Sequence, residues 1–340
     1  MIRGDDLRAT LVGFAGALSV LAVLVWLVGI GDTVDALSGA SLPVVLGIVA
    51  IAICWLSAWG MSLHTVLGVL GAPITMPAAV LVFAGATFAN NVTPFGQAGG
   101  EPVSALLISR ATDREYETGL AAIASVDAIH FVPSIGYAVV GLTFVVAGAA
   151  QFGRNLVFAT TALVALAVGM PAAAYFGWRY RYELEAAVVR AVTPVVRVIG
   201  RVIPRKEPPT TADVEHRIEG FFGAIERVAG SRKTLLEAVG FSALGWLAMC
   251  CSLWLSLFAL GHTVEFTAVL LVVPIGAVAG MTPLPGGLGG VDAVLIALLV
   301  STTGVTGGAA GAAVLVHRAA TYVFPTVVGG GVAFALGVGD

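Results

Sequence analysis

Charge is what this 340-residue chain has least of: 17 Lys and Arg and 20 Asp and Glu make up 11% of it, while hydrophobic residues make up 58%. A soluble domain carries roughly 25% charged residues, so this chain could not clothe a water-facing surface. Cysteine is nearly absent. Cys54, Cys250 and Cys251 lie inside apolar segments and match no metal spacing, which excludes a disulfide scaffold and a zinc ribbon. Histidine occurs five times with no H-E-x-x-H, so no zinc hydrolase is written here and no metal or cofactor is expected. Arg232-Lys233-Thr234 lacks the glycine that a phosphate-binding loop needs before its lysine, which removes a self-contained ATP motor. The net charge of −3 says little, because what matters is where the charges sit along the chain; a nucleic-acid binder is excluded by the long charge-free runs.

What fills the space is apolar sequence. Residues 9–31, 36–100, 128–153, 155–178, 238–264, 266–291, 293–317 and 319–339 contain no Asp, Glu, Lys or Arg. About 20 apolar residues suffice to span a bilayer, so the pattern is that of an all-α polytopic membrane protein. Arg3 and Arg8 precede the first run in the manner of a signal peptide. Its 23 uncharged residues and the lack of an A-x-A site fit a retained span better.

Full crossings are predicted at 9–31, 42–66, 118–148, 155–177, 234–261 and 307–337. Two further apolar stretches, 77–90 and 266–280, are about 21 Å long as helices, short of a ~30 Å hydrocarbon core. Each meets a Pro/Gly cluster, and a second short helix follows, Pro102–Arg110 and Val291–Thr303. The two interrupted elements align when Thr93-Pro94 is laid on Thr282-Pro283, 189 residues on. Ala79-Val80-Leu81 then falls on Ala268-Val269-Leu270, and Gly99-Gly100-Glu101 on Gly289-Gly290-Val291-Asp292 with two residues inserted. Three predicted spans separate the copies, and an odd number reverses orientation. The expectation is an inverted-topology repeat, copy one about 42–148 and copy two about 234–337, with the site where the breaks meet.

Charge decides between kinked crossings and re-entrant hairpins. With hairpins, Arg3, Arg8, Arg110, Arg114 and the 11 basic residues of 179–233 share one side. The positive-inside rule therefore favours six spans plus two hairpins, with the N-terminus, 178–233 and the C-terminus cytoplasmic in a plasma-membrane protein. In the polar insertion 178–233, Val188 to Arg201 reads as an interfacial helix. A further helix is expected from Thr211 to Val228, with Phe221, Phe222 and Ile225 apolar. The simplest reading of the whole insertion is a membrane-surface spacer.

Four charges interrupt the apolar runs at membrane depth: Glu101, Asp127, Asp292 and Arg318. Glu101 and Asp292 each open a second half-helix, where a carboxylate serves either as a cap or as a proton, cation or cationic-headgroup site. The loops Asn90-Asn91-Val92-Thr93-Pro94-Phe95-Gly96-Gln97-Ala98-Gly99-Gly100 and Pro285-Gly286-Gly287-Leu288-Gly289-Gly290 present backbone N–H groups before helix N-termini, a setting that attracts phosphate. Glycine would equally serve tight packing of the two tips; polar Asn90, Asn91, Thr93 and Gln97 at that depth are asked for only by a headgroup site. Arg318 lies about eleven residues into the last span, with Tyr322 and Pro325 on the same face. Asp127 corresponds to it in the first copy, with His130 at i+3. The two either form a buried pair holding the halves together, or Arg318 binds a lipid phosphate and Asp127 balances it. Asn91-Val92-Thr93 matches a glycosylation sequon but precedes Pro94 within the membrane.

At these residues the chain resembles the flippase-like family typified by the N-terminal transmembrane region of bacterial lysylphosphatidylglycerol synthases. The resemblance is carried by Asn91 to Pro102, by Pro285 to Asp292, and by Arg318 with Tyr322 and Pro325, and it spans nearly the whole chain. It implies a non-enzymatic role, moving a lipid between leaflets: a phospholipid or a polyprenyl-phosphate-linked sugar. Two departures matter. No aminoacyl-transferase domain follows, so lipid synthesis is not expected, and Asp292 stands where the family's second motif usually has glutamate. Two other readings are open. A non-transporting scaffold or subunit of a lipid-modifying or glycosylation enzyme predicts Asp127 against Arg318, and an intramembrane hydrolase predicts Asp127 beside Asp292. The sequence also leaves room for a homo-oligomer.

Overall fold

In the computed structural model the described residues are 42–93, 96–148, 211–281 and 284–336, with scattered positions between 160 and 183. They are helical throughout, with no strand among them. In order they form α1 (Leu42–Val69), α2 (Met76–Val92), α3 (Gln97–Thr112), α4 (Tyr116–Gly148), α5 (Thr211–Gly230), α6 (Arg232–Ala259), α7 (Phe266–Val278), α8 (Gly290–Thr303), α9 (Gly307–Arg318) and α10 (Phe324–Ala335). The predicted span 9–31, most of 155–177 and the interfacial helix 188–201 lie outside the described residues.

Among the described residues, five helical stretches are long and apolar enough to cross a membrane: Pro43–Val69, Tyr116–Ala147, Arg232–Ala259, Pro285–Thr303 and Gly307–Ala335. Four coincide with predicted spans. The fifth differs from expectation, because counting the second half-helix from Val291 left out the single 3-10 turn at Pro285–Gly287 that leads into it. The short elements are α2 and α7, as predicted, with 17 and 13 residues.

The packing is reciprocal. α1 lies along α6 at the centre; α2 packs on α10 while α7 packs on α4; α2 meets α3 as α7 meets α8, and α3 meets α4 as α8 meets α9. The turns repeat as well. Gly71 (φ 72°) and Gly261 (φ 80°) close α1 and α6 with matching bonds, Ala72 N–H to Leu67 O and His262 N–H to Leu257 O. The left-handed conformation at these positions is open to glycine at little cost.

Without a strong hydrophobic force between helices in lipid, close approach depends on small residues. A Cβ added at Gly329 of α10 would lie 1.9 Å from Ala84 O of α2, and one at Gly141 of α4 would lie 2.5 Å from Leu271 N of α7. These two glycines thus seat the two short helices in equivalent ways. At the centre, a Cβ at Gly245 of α6 would lie 2.1 Å from the Trp59 indole nitrogen of α1, which donates to Ser242 O at 3.2 Å. Trp59 also stacks on His130 with centroids 4.2 Å apart and meets Trp55 and Trp246 edge-on, so it joins the two apolar cores.

Of the polar insertion, the expected helix from Thr211 is present as α5 and packs on the helical body. Ala224 and Val228 of α5 are buried, with Phe221 and Ile225 packed beside them, and Arg217 reaches Glu117 of α4 at 2.8 Å. The apolar stripe of the helix expected from Thr211 thus docks on the helical body, while the expected headgroup-facing helix at 188–201 lies outside the described residues.

Candidate functional site

The two breaks touch through glycine backbone. Gly96 caps α3 with φ 55°, and a Cβ there would lie 2.9 Å from Gly280 O; one at Gly287 (φ 66°) would lie 2.7 Å from Gly280 Cα. Gly280, in the 3-10 turn Ala279–Met281 after α7, is therefore held between the first break and the second. Sequence reasoning passed it over, although the 189-residue alignment sets it opposite Asn91. Pro94, Phe95, Thr282 and Pro283 lie outside the described residues, as does the side chain of Gln97.

Arg318 ends α9 and is 9% exposed. Its Nη2 donates to Gly286 O at 3.1 Å, its Nε stands 3.1 Å from Asp292 Oδ1, and its guanidinium lies 4.4 Å above the Tyr322 ring. The Nε–carboxylate contact is an ion pair without the alignment of a hydrogen bond. The expected Asp127–Arg318 pair is thus not formed; Arg318 is matched within its own repeat copy. Asp292, third residue of α8, also accepts from Gly289 N–H at 2.9 Å through Oδ2. It therefore caps the helix, as one of its two readings has it, and neutralises the arginine at once.

The helix carrying Arg318 is interrupted directly after it by a π turn, Ala319–Val323. Pro325 has no N–H to donate, and Phe324 N–H reaches five residues back to Ala319 O. Tyr322, 2% exposed, lies in that turn, and its hydroxyl donates to Asn91 O at 3.0 Å. Asn91 Nδ2 answers with a 2.7 Å bond to Thr326 Oγ1 and a 3.4 Å bond to Tyr322 O. The first break is thus bolted to the last helix, and through Tyr322 and Arg318 to the second break. Thr326 was missed in the sequence because nothing in its local pattern marks it; it matters only through Asn91, 235 residues away.

The remaining expected residues divide. Thr93 donates to Ala89 O at 2.7 Å and ends α2. Gly99 lies in the first turn of α3; a Cβ at Gly100 would lie 2.1 Å from Asn90 Oδ1, a buried atom with no partner among the described residues. Pro285 and Gly286 begin the turn that presents the carbonyl to Arg318, and Gly290 starts α8. Glu101 and Asp127 do not join this cluster. Asp127 is 8% exposed, and its Oδ2 has no hydrogen-bond partner among the described residues. The facing of Asp127 and Asp292 that a hydrolase would need is not what the side chains do: Asp292 is engaged by Arg318 and Gly289. Among the described residues no group of three His, Cys, Asp or Glu could hold a metal ion.

Several apolar helices around a buried polar cluster at two broken elements define a multi-pass α-helical membrane protein. The chain belongs to the family described as the lysylphosphatidylglycerol synthase TM region, whose model matches residues 11–329. It is 24% identical to a UPF0104 membrane protein of Methanothermobacter thermautotrophicus over 339 residues, covering 96% of this chain and 92% of the relative. A second protein of that name from the same organism is 24% identical over 91% of this chain and 90% of its own. A UPF0104 membrane protein of Pyrococcus horikoshii is 24% identical over 92% and 93% respectively.

Proposed function

We propose that the protein moves a lipid with an anionic phosphate headgroup between leaflets, by alternating access at the meeting point of the two breaks. In this reading the breaks are re-entrant hairpins of an inverted repeat of six spans, set in the plasma membrane with both termini and 178–233 cytoplasmic. The observation that carries it is Arg318: a buried guanidinium whose one charged partner among the described residues, Asp292, is a partly exposed carboxylate already shared with a helix N-terminus. A phosphate offers the arginine the same charge with better bidentate geometry, and the first turn of α8 offers it free N–H groups. Asp292 is then the counter-ion that holds the empty site and yields to the headgroup. The reciprocal packing of the two copies supplies two arrangements of equal kind, which alternating access requires. The lipid is a phospholipid or a polyprenyl-phosphate-linked sugar, and enzymes that make or use it are the natural partners. No chemical step is assigned to the protein.

The test is translocation of fluorescent phosphatidylglycerol in reconstituted vesicles. Arg318→Ala is expected to slow it at least tenfold, roughly the 1.4 kcal/mol that one charge-assisted contact exceeds. Unchanged rates in Arg318→Ala and Asp292→Asn would refute the site.

A further inference from the structure

Three observations meet at the start of α8. Gly290 and Val291 precede the first intrahelical donor, Ala293 N–H to Gly289 O, so their own N–H groups are left for a ligand. Gly289 beside them is exposed, and an added Cβ there would meet nothing within 4 Å, whereas one at Gly286 or Gly287 would strike Tyr322 or Gly280. The second break is therefore closed on its Tyr322 side and open at the helix end. Arg318 reaches that end through Asp292: Nε stands 3.1 Å from Oδ1, and both atoms are buried without a hydrogen bond among the described residues.

Charge decides what can sit there. Arg318 is the one buried Lys or Arg among the described residues, and every other described Lys or Arg is exposed. His317 is buried next to it in the chain, but its Nδ1 lies 3.0 Å from Ser252 Oγ of α6 and faces that helix. Neutral donors that could soften extra negative charge are committed too, the Tyr322 hydroxyl to Asn91 O and Asn91 Nδ2 to Thr326 Oγ1. Asp292 cannot carry its own charge away. When Arg318 turns to a ligand only Oδ1 is released, because Oδ2 still holds Gly289 N–H. The break then sets one guanidinium and about half a positive charge from the helix end against the Asp292 carboxylate. A phosphodiester, singly charged, leaves about half a negative charge in excess. A monoester carries about −1.5 to −2 at neutral pH and leaves about twice that excess or more, in a poorly solvated place.

We propose that the ligand held at this break is a lipid whose phosphate is a singly charged diester, and that Asp292 sets this limit by rejecting lipid monoesters and diphosphates. The site itself is that of the transport reading, on which this rests; what is new is the charge it accepts. The test is displacement of fluorescent phosphatidylglycerol from the whole protein in uncharged detergent by phosphatidylmethanol or phosphatidate, which differ by one methyl group and one charge. Phosphatidylmethanol is expected to displace it at least about tenfold more effectively at neutral pH. Asp292→Asn should close that gap by admitting phosphatidate. At about pH 5, below the monoester's second pKa of about 6, the gap should close in the wild type as well, which keeps the test decisive if the variant fails to fold. Dimethyl phosphate, the same diester without tails, should not displace at the concentrations where phosphatidylmethanol does. Equal displacement by the two lipids at neutral pH, a gap unchanged in folded Asp292→Asn or at the lower pH, or equal potency of dimethyl phosphate would overturn the proposal. Phosphatidylglycerol movement that still depends on Arg318 would then leave the transport reading standing. The expected preference without any phosphatidylglycerol movement would instead count against the transport reading alone.

Discussion

Gly286 and Gly289 lie three residues apart in the second break, both at positive φ, 55° and 76°, yet alanine is expected to destabilise them for different reasons. At Gly289 an added Cβ meets nothing within 4 Å, so Gly289→Ala carries a backbone cost alone, about 1–3 kcal/mol, because φ 76° with ψ −43° lies outside the left-handed helical well. At Gly286 the same atom would lie 2.1 Å from Tyr322 Cε2. The ring must then leave, and with it go the hydroxyl bond to Asn91 O, worth about 1 kcal/mol, and the stacking on Arg318, worth about 0.5–1 kcal/mol. Gly286→Ala should therefore cost about 3 kcal/mol in all. Thermal unfolding in detergent, with both variants and wild type run side by side, reads the difference. Tyr322→Phe combined with Gly286→Ala should cost less than the two singly added, since the hydroxyl bond is lost only once. Full additivity of Gly286→Ala and Tyr322→Phe would refute the claim that the second break is clamped through Tyr322.

Two further outcomes follow from the packing. Gly141→Val and Gly329→Val should each destabilise by about 3 kcal/mol or more, and to a similar extent, because both drive a side chain into the backbone of a short helix; a large effect of one with none of the other, read by the same unfolding assay, would break the equivalence of the copies. Arg217→Ala should change stability by less than about 1 kcal/mol, since its side chain is 64% exposed; that small difference should vanish in high salt.

Much of the fold was legible because a bilayer imposes simple rules. Charge-free runs marked the spans at 42–66, 118–148, 234–261 and 307–337, and helix length separated α2 and α7 from them, because lipid leaves the backbone no partner but itself. The duplicated Pro/Gly break was visible as sequence. What the pattern could not give was the partner of each buried charge. Asp127 and Arg318 correspond between copies, which suggested that they meet; corresponding residues in two copies need not touch, and Arg318 instead finds the acid of its own copy. The docking of α5 was hidden for a related reason, since an apolar stripe at Phe221, Phe222 and Ile225 does not say which helices it will meet.

The sequence by itself determined that this is a multi-pass helical membrane protein with a twice-written break and four charges too deep to be loop residues, because apolar length and charge placement act locally along the chain. Only the tertiary structure decided which charges answer one another. Asn91 reaches Thr326 across 235 residues and Arg318 reaches Gly286 across 32. Such contacts depend on the exact approach of helices, set by single glycines at 329, 141 and 245 and by one π turn before Pro325, and no local periodicity encodes them.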